Sequence, residues 1–122
     1  MSKVMPQEIE VWYLIPALRR EVSKILVSKH NVSQKETAVL LGITESAISQ
    51  YLSNKRGSDI KFSKQETEEI EKTANEIIKN PEKTTELIYK LSNLFKGHEC
   101  VCKLHRKHDP SIHKNCKMCM GA

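Results

Sequence analysis

With 122 residues, 39% of them hydrophobic and 29% charged, the chain has the balance of a folded globular protein and lacks the apolar depletion of a disordered one. That length suits one modest core with an appendage. No apolar run approaches the ~20 residues that cross a bilayer, and no basic stretch followed by an apolar core and a small-residue cleavage site opens the sequence, so a cytoplasmic location is expected. The net charge of +5 is unevenly spread: +3 over residues 1–57, −1 over 58–97 and +3 over 98–122. Basic ends suit a polyanionic partner.

Apolar residues recur with helical period almost throughout, and no stretch alternates as a strand would. The expected fold is all-α, a bundle of about five helices with a small cysteine-rich tail. A first helix covers Pro6 to Tyr13, with Ile9, Trp12 and Tyr13 on one side. Pro16 then suits the first turn of a second helix running to Lys29. In that helix Leu18, Val22, Ile25 and Leu26 form one stripe while Arg19, Arg20 and Lys24 face elsewhere.

Ser33 and Glu36 read as a capping box opening a third helix at Gln34. It ends near Leu41, where Gly42 supplies the left-handed conformation of a tight turn. Thr44 caps a fourth helix, Glu45 to about Ser53. Asn54-Lys55-Arg56-Gly57-Ser58 is a basic loop. Ser63 and Glu66 form a second capping box, opening a helix that Asn80-Pro81 breaks. The last long helix runs from about Pro81 to Lys96, carries Leu87, Ile88, Leu91, Leu94 and Phe95 at helical spacing, and stops at Gly97. Beyond Gly97 the apolar stripe ends. Three segments result: residues 1–58 as a helix-turn-helix unit, 59–97 as a helical hairpin, and 98–122 as the tail.

A helix-turn-helix that reads DNA needs a small apolar inner face and short polar groups on the open face of its second helix. Ala38, Leu41, Ile43, Ile48 and Leu52 supply the first, and Thr44, Glu45, Ser46, Ser49 and Gln50 the second. Gln pairs bidentately with adenine, Ser bonds several bases, and Glu45 could accept from cytosine. The run Val32-Ser-Gln-Lys-Glu-Thr-Ala-Val-Leu-Leu-Gly-Ile-Thr-Glu-Ser-Ala-Ile-Ser-Gln-Tyr-Leu-Ser-Asn54 resembles the helix-turn-helix of lambda-repressor and Cro-like (XRE-type) regulators. Trp12 to Arg20, together with the Lys55-Arg56-Gly57 ending, is similar to a family of small archaeal predicted transcriptional regulators with a cysteine-bearing tail. The resemblance covers residues 6 to 57 most closely. It implies that Gln34 helps anchor the protein on double-stranded DNA and that Ser46 and Gln50 face bases. It further implies phosphate contacts from Lys35, Lys55 and Arg56, with Tyr51 as a hydroxyl donor to the backbone. A carboxylate at Glu45 costs affinity near phosphates unless it meets a base donor. Dimers gain specificity from two half-sites one helical turn apart, so a homodimer is expected, with the Leu87 to Phe95 stripe as either its interface or a face packed on the chain's own core.

All four cysteines fall between positions 100 and 119, too local to staple the rest of the fold. Cys100-Val-Cys102 and Cys116-Lys-Met-Cys119 could close a tetrahedral zinc site or ligate an iron–sulfur cluster. The two-residue spacer at Cys116 is usual for a zinc knuckle and the one-residue spacer at Cys100 is not, so the metal stays open. His98, His105, His108 and His113 are optional ligands. A cluster would couple redox state or iron supply to DNA affinity. A structural zinc would leave Lys103, Arg106, Lys107, Lys114 and Lys117 to extend the phosphate contacts. With no glycine-rich phosphate loop and no His-Glu-x-x-His helix, catalysis is not expected. The alternative is a helical protein-interaction adaptor with a structural zinc tail.

Overall fold

A computed structural model describes residues 3–119, and among these the regular structure is entirely helical. The chain begins with α1 (Pro6–Ile9), a π-helical turn (Glu10–Leu14) and α2 (Ile15–Lys29), which follow one another without a break. Proline inside a helix lacks an N–H and its ring collides with the carbonyl four residues back. Here the turn before Pro16 is widened, so that the Ile15 N–H reaches back five residues to the Glu10 carbonyl. One continuous rod thus replaces the two helices expected from the sequence. The wider turn also changes which side chains face inward. Ile9 and Leu14 are fully buried and Tyr13 half-buried, while Trp12, expected beside them, is 51% exposed.

The rod continues through α2 as the central element of the fold, touching α3 (Gln34–Leu41), α4 (Glu45–Leu52), α5 (Lys64–Lys79) and α6 (Thr84–Phe95). Its expected stripe of Leu18, Val22, Ile25 and Leu26 is buried. Ile70, Ala74 and Ile77 of α5 and Leu91 and Phe95 of α6 join the same cluster. Burying one such Leu or Ile side chain contributes roughly 1.5–3 kcal/mol. Arg20, expected to face away from the core, is half-buried. A short 3-10 turn (Pro81–Lys83) precedes α6, so the helix proper starts three residues later than the pattern suggested. On α6, Leu91 and Phe95 turn inward, Leu87 and Ile88 are half-buried, and Tyr89 and Leu94 remain exposed.

Residues after Gly97 do not form a coreless tail. They begin with a further helix, α7 (Glu99–His108), which packs on α1. Its apolar content is slight: Val101 is buried and Leu104 half-buried. Polar clamps complete the attachment. The Val4 N–H donates to Asp109 Oδ2 at 2.9 Å, and the buried His105 ring donates through Nε2 to the Val4 carbonyl at 2.5 Å. His108 stacks on Tyr13 with ring centroids 5.1 Å apart. Asp109 also accepts from the Ser111 hydroxyl at 2.5 Å and the Ser111 N–H at 3.1 Å. The Ser111 hydroxyl and the Val4 N–H hold its carboxyl below the ordinary aspartate range. Among the described residues, no helix is long and apolar enough to cross a membrane.

Candidate nucleic-acid interface

Two short helices, α3 and α4, meet across a turn whose geometry follows from its residues. Ser33 Oγ accepts the Glu36 N–H at 3.1 Å, which is one half of the expected capping box. At the far end Gly42 adopts φ 67°, and its N–H serves the carbonyls of Ala38 and Val39. The Ile43 N–H returns to the Ala38 carbonyl at 3.0 Å, and Thr44 Oγ1 then accepts the Ala47 N–H at 3.0 Å to open α4. The free backbone donors and acceptors at this turn are thereby met within a few residues.

Between the two helices Ala38 and Ile48 are buried as expected, whereas Leu41, Ile43 and Leu52 are only half-buried. Thr37, Ala47 and Tyr51 complete the inner face and were not expected there. Thr37 can be buried because its hydroxyl donates to the Ser33 carbonyl at 2.8 Å. Its four-residue distance from the cap residue was the available signal.

Residues 47, 48 and 51 turn inward on α4, so helical spacing turns 45, 46 and 49 outward. Thr44, Glu45, Ser46 and Ser49 are exposed and Gln50 is half-exposed. Gln34 and Lys35 at the start of α3 are exposed, as are Lys55 and Arg56 after α4. Tyr51 departs from its expected role. It is 2% exposed, and the Arg56 guanidinium lies over its ring at 5.9 Å from the centroid. The ring packs the core and supports Arg56.

The loop after α4 is held by residues that themselves offer nothing to DNA. Asn54 has φ 61°, and its Oδ1 accepts from Arg20 Nε at 3.0 Å and Nη2 at 2.5 Å. Gly57 has φ 75° and lies so close to α2 that an added Cβ would sit 2.5 Å from the Pro16 carbonyl oxygen. Lys55 and Arg56 are therefore carried on a loop fixed at both ends to α2. Glu36 and Glu45, on α3 and α4, are also exposed.

Three of the four cysteines, Cys102, Cys116 and Cys119, lie within electrostatic range of one another, while Cys100 faces elsewhere. Two residues along a helix are turned by about 200°, so α7 points Cys100 and Cys102 to different sides. Cys100 Sγ donates to Glu66 Oε2 at 3.5 Å, and His98 Nδ1 donates to the same oxygen at 2.6 Å. Glu66 also completes the capping box of α5: Glu66 Oε1 accepts the Ser63 N–H at 2.8 Å, and Ser63 Oγ accepts the Glu66 N–H at 3.1 Å. Burial works to raise the Glu66 pKa, but hydrogen bonds from Ser63, His98 and Cys100 outweigh it and leave the carboxyl lowered. Burial, reinforced by the Glu66 charge, pushes the Cys100 thiol up to about 12. Burial likewise raises Cys102, which also senses Cys119 and Cys116. It raises Cys119 as well.

Among the described residues, no group of three or more His, Cys, Asp or Glu side chains is placed to hold a metal ion. Of the expected set, Cys100 bonds Glu66 in this arrangement while Cys102, Cys116 and Cys119 stay within range of one another. Of the optional histidine ligands, His98 and His105 have a ring nitrogen bonded to Glu66 and to Val4, His108 only stacks on Tyr13, and His113 Nδ1 accepts from the Asn115 N–H at 3.5 Å. The role of Glu66 as receiver for His98 and Cys100 was not visible in the sequence, which showed only its capping pattern. No protein family, curated protein or solved structure gives a match to this chain.

Proposed function

We propose that the chain is a sequence-specific regulator of transcription that binds double-stranded DNA, with α3 and α4 acting as a helix-turn-helix and α4 entering the major groove. The observation that carries this reading is the two-sidedness of α4. Ala47, Ile48 and Tyr51 are buried on one side, while Glu45, Ser46, Ser49 and Gln50 offer short polar groups on the other. Lys35 at the head of α3 and Lys55 and Arg56 behind α4 flank that face with cations.

In this reading the cations seat the protein on phosphates and carry no sequence information, while the α4 side chains read base edges. Gln50 pairs with adenine, and Ser46 and Ser49 bond neighbouring bases. Glu45 accepts from a cytosine amino group and repels other registers. The turn at Gly42 and the anchored loop at Gly57 hold the readers and the seats in fixed relation, which is what makes a short helix selective.

Two copies on a pseudo-palindrome would supply the specificity that one short helix lacks, and exposed Tyr89 and Leu94 on α6 would form the contact between them. The proposed role is binding rather than catalysis, in the cytoplasm. A zinc or iron–sulfur centre would draw on Cys102, Cys116 and Cys119, with Cys100 released from Glu66, and is separate from the base-reading step. An adaptor reading is favoured by exposed apolar side chains such as Val11, Trp12 and Val39.

Substitution separates the two kinds of contact. Gln50→Ala should weaken binding to the preferred duplex by ~1–3 kcal/mol and relax selectivity at one base pair, whereas Lys55→Ala should weaken every sequence alike. Unchanged affinity and selectivity in both variants would remove α4 from the interface.

A further inference from the structure

Behind the loop that carries Lys55 and Arg56, residues 58–61 form one wall of a groove of about 780 Å³, and α7 forms the other. Buried Ile60 and half-buried Leu104 line it, which gives the groove a fixed apolar base. Three of its five charged lining residues are cationic. Lys61 projects from the loop, and Lys103 and Lys107 project from α7. All three are exposed. Lys103 and Lys107 are one helical turn apart, about 6 Å along the axis. Two carboxylates, Asp59 and Glu99, also line the groove, but Glu99 is paired with the Arg106 guanidinium. Three cations therefore face one uncompensated carboxylate.

We infer that this groove is a phosphate track: it takes the sugar–phosphate backbone of the duplex on the flank of the bases read by α4. The inference rests on the DNA-binding reading and extends it to a part of the chain that the helix-turn-helix does not use. Three observations carry it. The groove adjoins the loop bearing Lys55 and Arg56 along the chain, since Ser58 in its wall follows them after Gly57. Its cations come from two elements that α7 brings together, so they form a track rather than a single point charge. Its apolar base offers nothing that would pair with base edges, so its contribution is to affinity and position, not to sequence. Clamping of α7 onto Val4 through His105 and Asp109 then has a purpose, because a track must be held rigid relative to α4.

The test measures affinity of the full chain for a mixed-sequence 40-base-pair duplex as a function of potassium chloride concentration. Each phosphate contact adds about 0.9 to the slope of log affinity against log salt. The Lys103→Ala/Lys107→Ala double variant should have a slope shallower by about 1.8. Its preferred sequence should not change. Hydroxyl-radical footprinting of the same complexes should show that the variant loses protection on one flank only.

An unchanged slope and footprint in that variant, with a reduced slope in Lys55→Ala/Arg56→Ala, would overturn the track and leave the DNA-binding reading standing. No salt-dependent binding by the unsubstituted chain would overturn both.

Discussion

The hairpin of α3 and α4 and the clamp of α7 onto the N-terminus are both held by hydrogen bonds to backbone, yet they differ in reach. In the hairpin the bonds from Ser33 to Glu36 and from Thr44 to Ala47 span three residues. In the clamp, those from Val4 to Asp109 and from His105 to Val4 span 105 and 101 residues. A local bond is available while the chain is still searching for its fold, whereas a clamp between the chain's ends closes only after the core has brought them together. The first kind defines a recognition element with little help from the rest of the molecule. The second makes a basic helix part of the same rigid body.

This contrast can be broken at graded positions. Gly57→Ala has the largest expected effect, because it combines a left-handed backbone with a Cβ 2.5 Å from the Pro16 carbonyl oxygen. The two contributions together predict a loss of about 3 kcal/mol, read from the midpoint of urea unfolding at unchanged slope. Gly42→Ala meets nothing within 4 Å, so only the backbone cost of about 1–2 kcal/mol remains. Equal losses at the two glycines would show that the loop is not packed against α2 as described. Ser33→Ala removes only a cap and should cost about 1 kcal/mol, with Ser33→Asp restoring most of it.

Asp109 sharpens the comparison through pH. Its folded pKa lies below the unfolded value, so its contribution is fully present above the ordinary aspartate pKa of about 3.9 and is lost as pH falls through the folded one. Wild type should therefore lose stability more steeply than Asp109→Asn as pH is lowered below about 4, and the two should run parallel at neutral pH and above. Amide exchange at α7 should rise in the same window. Parallel curves through the acid range would mean that the Asp109 carboxylate contributes nothing to the clamp.

The same difference in reach explains what could be read in advance. Ser33, Gly42, Thr44 and Ser63 act on neighbours three to five residues away, and their elements appear where the pattern put them. Pro16 suits a helix start because N1 tolerates proline; a widened turn satisfies the same constraint, and nothing in the local sequence separates the two. Trp12 was misplaced as a consequence. The helix α7 carries too little apolar surface for periodicity to reveal it, since Val101 and Leu104 alone make its stripe and the partners that hold it lie at the other end of the chain. Tyr51 offered both a hydroxyl and a ring, and the core used the ring. Spacing along the chain groups all four cysteines, and the fold keeps Cys102 within range of Cys116 and Cys119 while Cys100 turns to Glu66. The exposed face of α4 was legible because it is the complement of its buried one.

Enrichment of duplexes from a random-sequence pool by the full chain tests the central claim most directly. DNA reading through α4 predicts recovery of a defined motif, bound well above its scrambled version, with Gln50→Ala losing that preference at one base pair while still binding DNA. Recovery of no motif, or a motif bound identically by Gln50→Ala and by variants at Ser46 and Ser49, would contradict it.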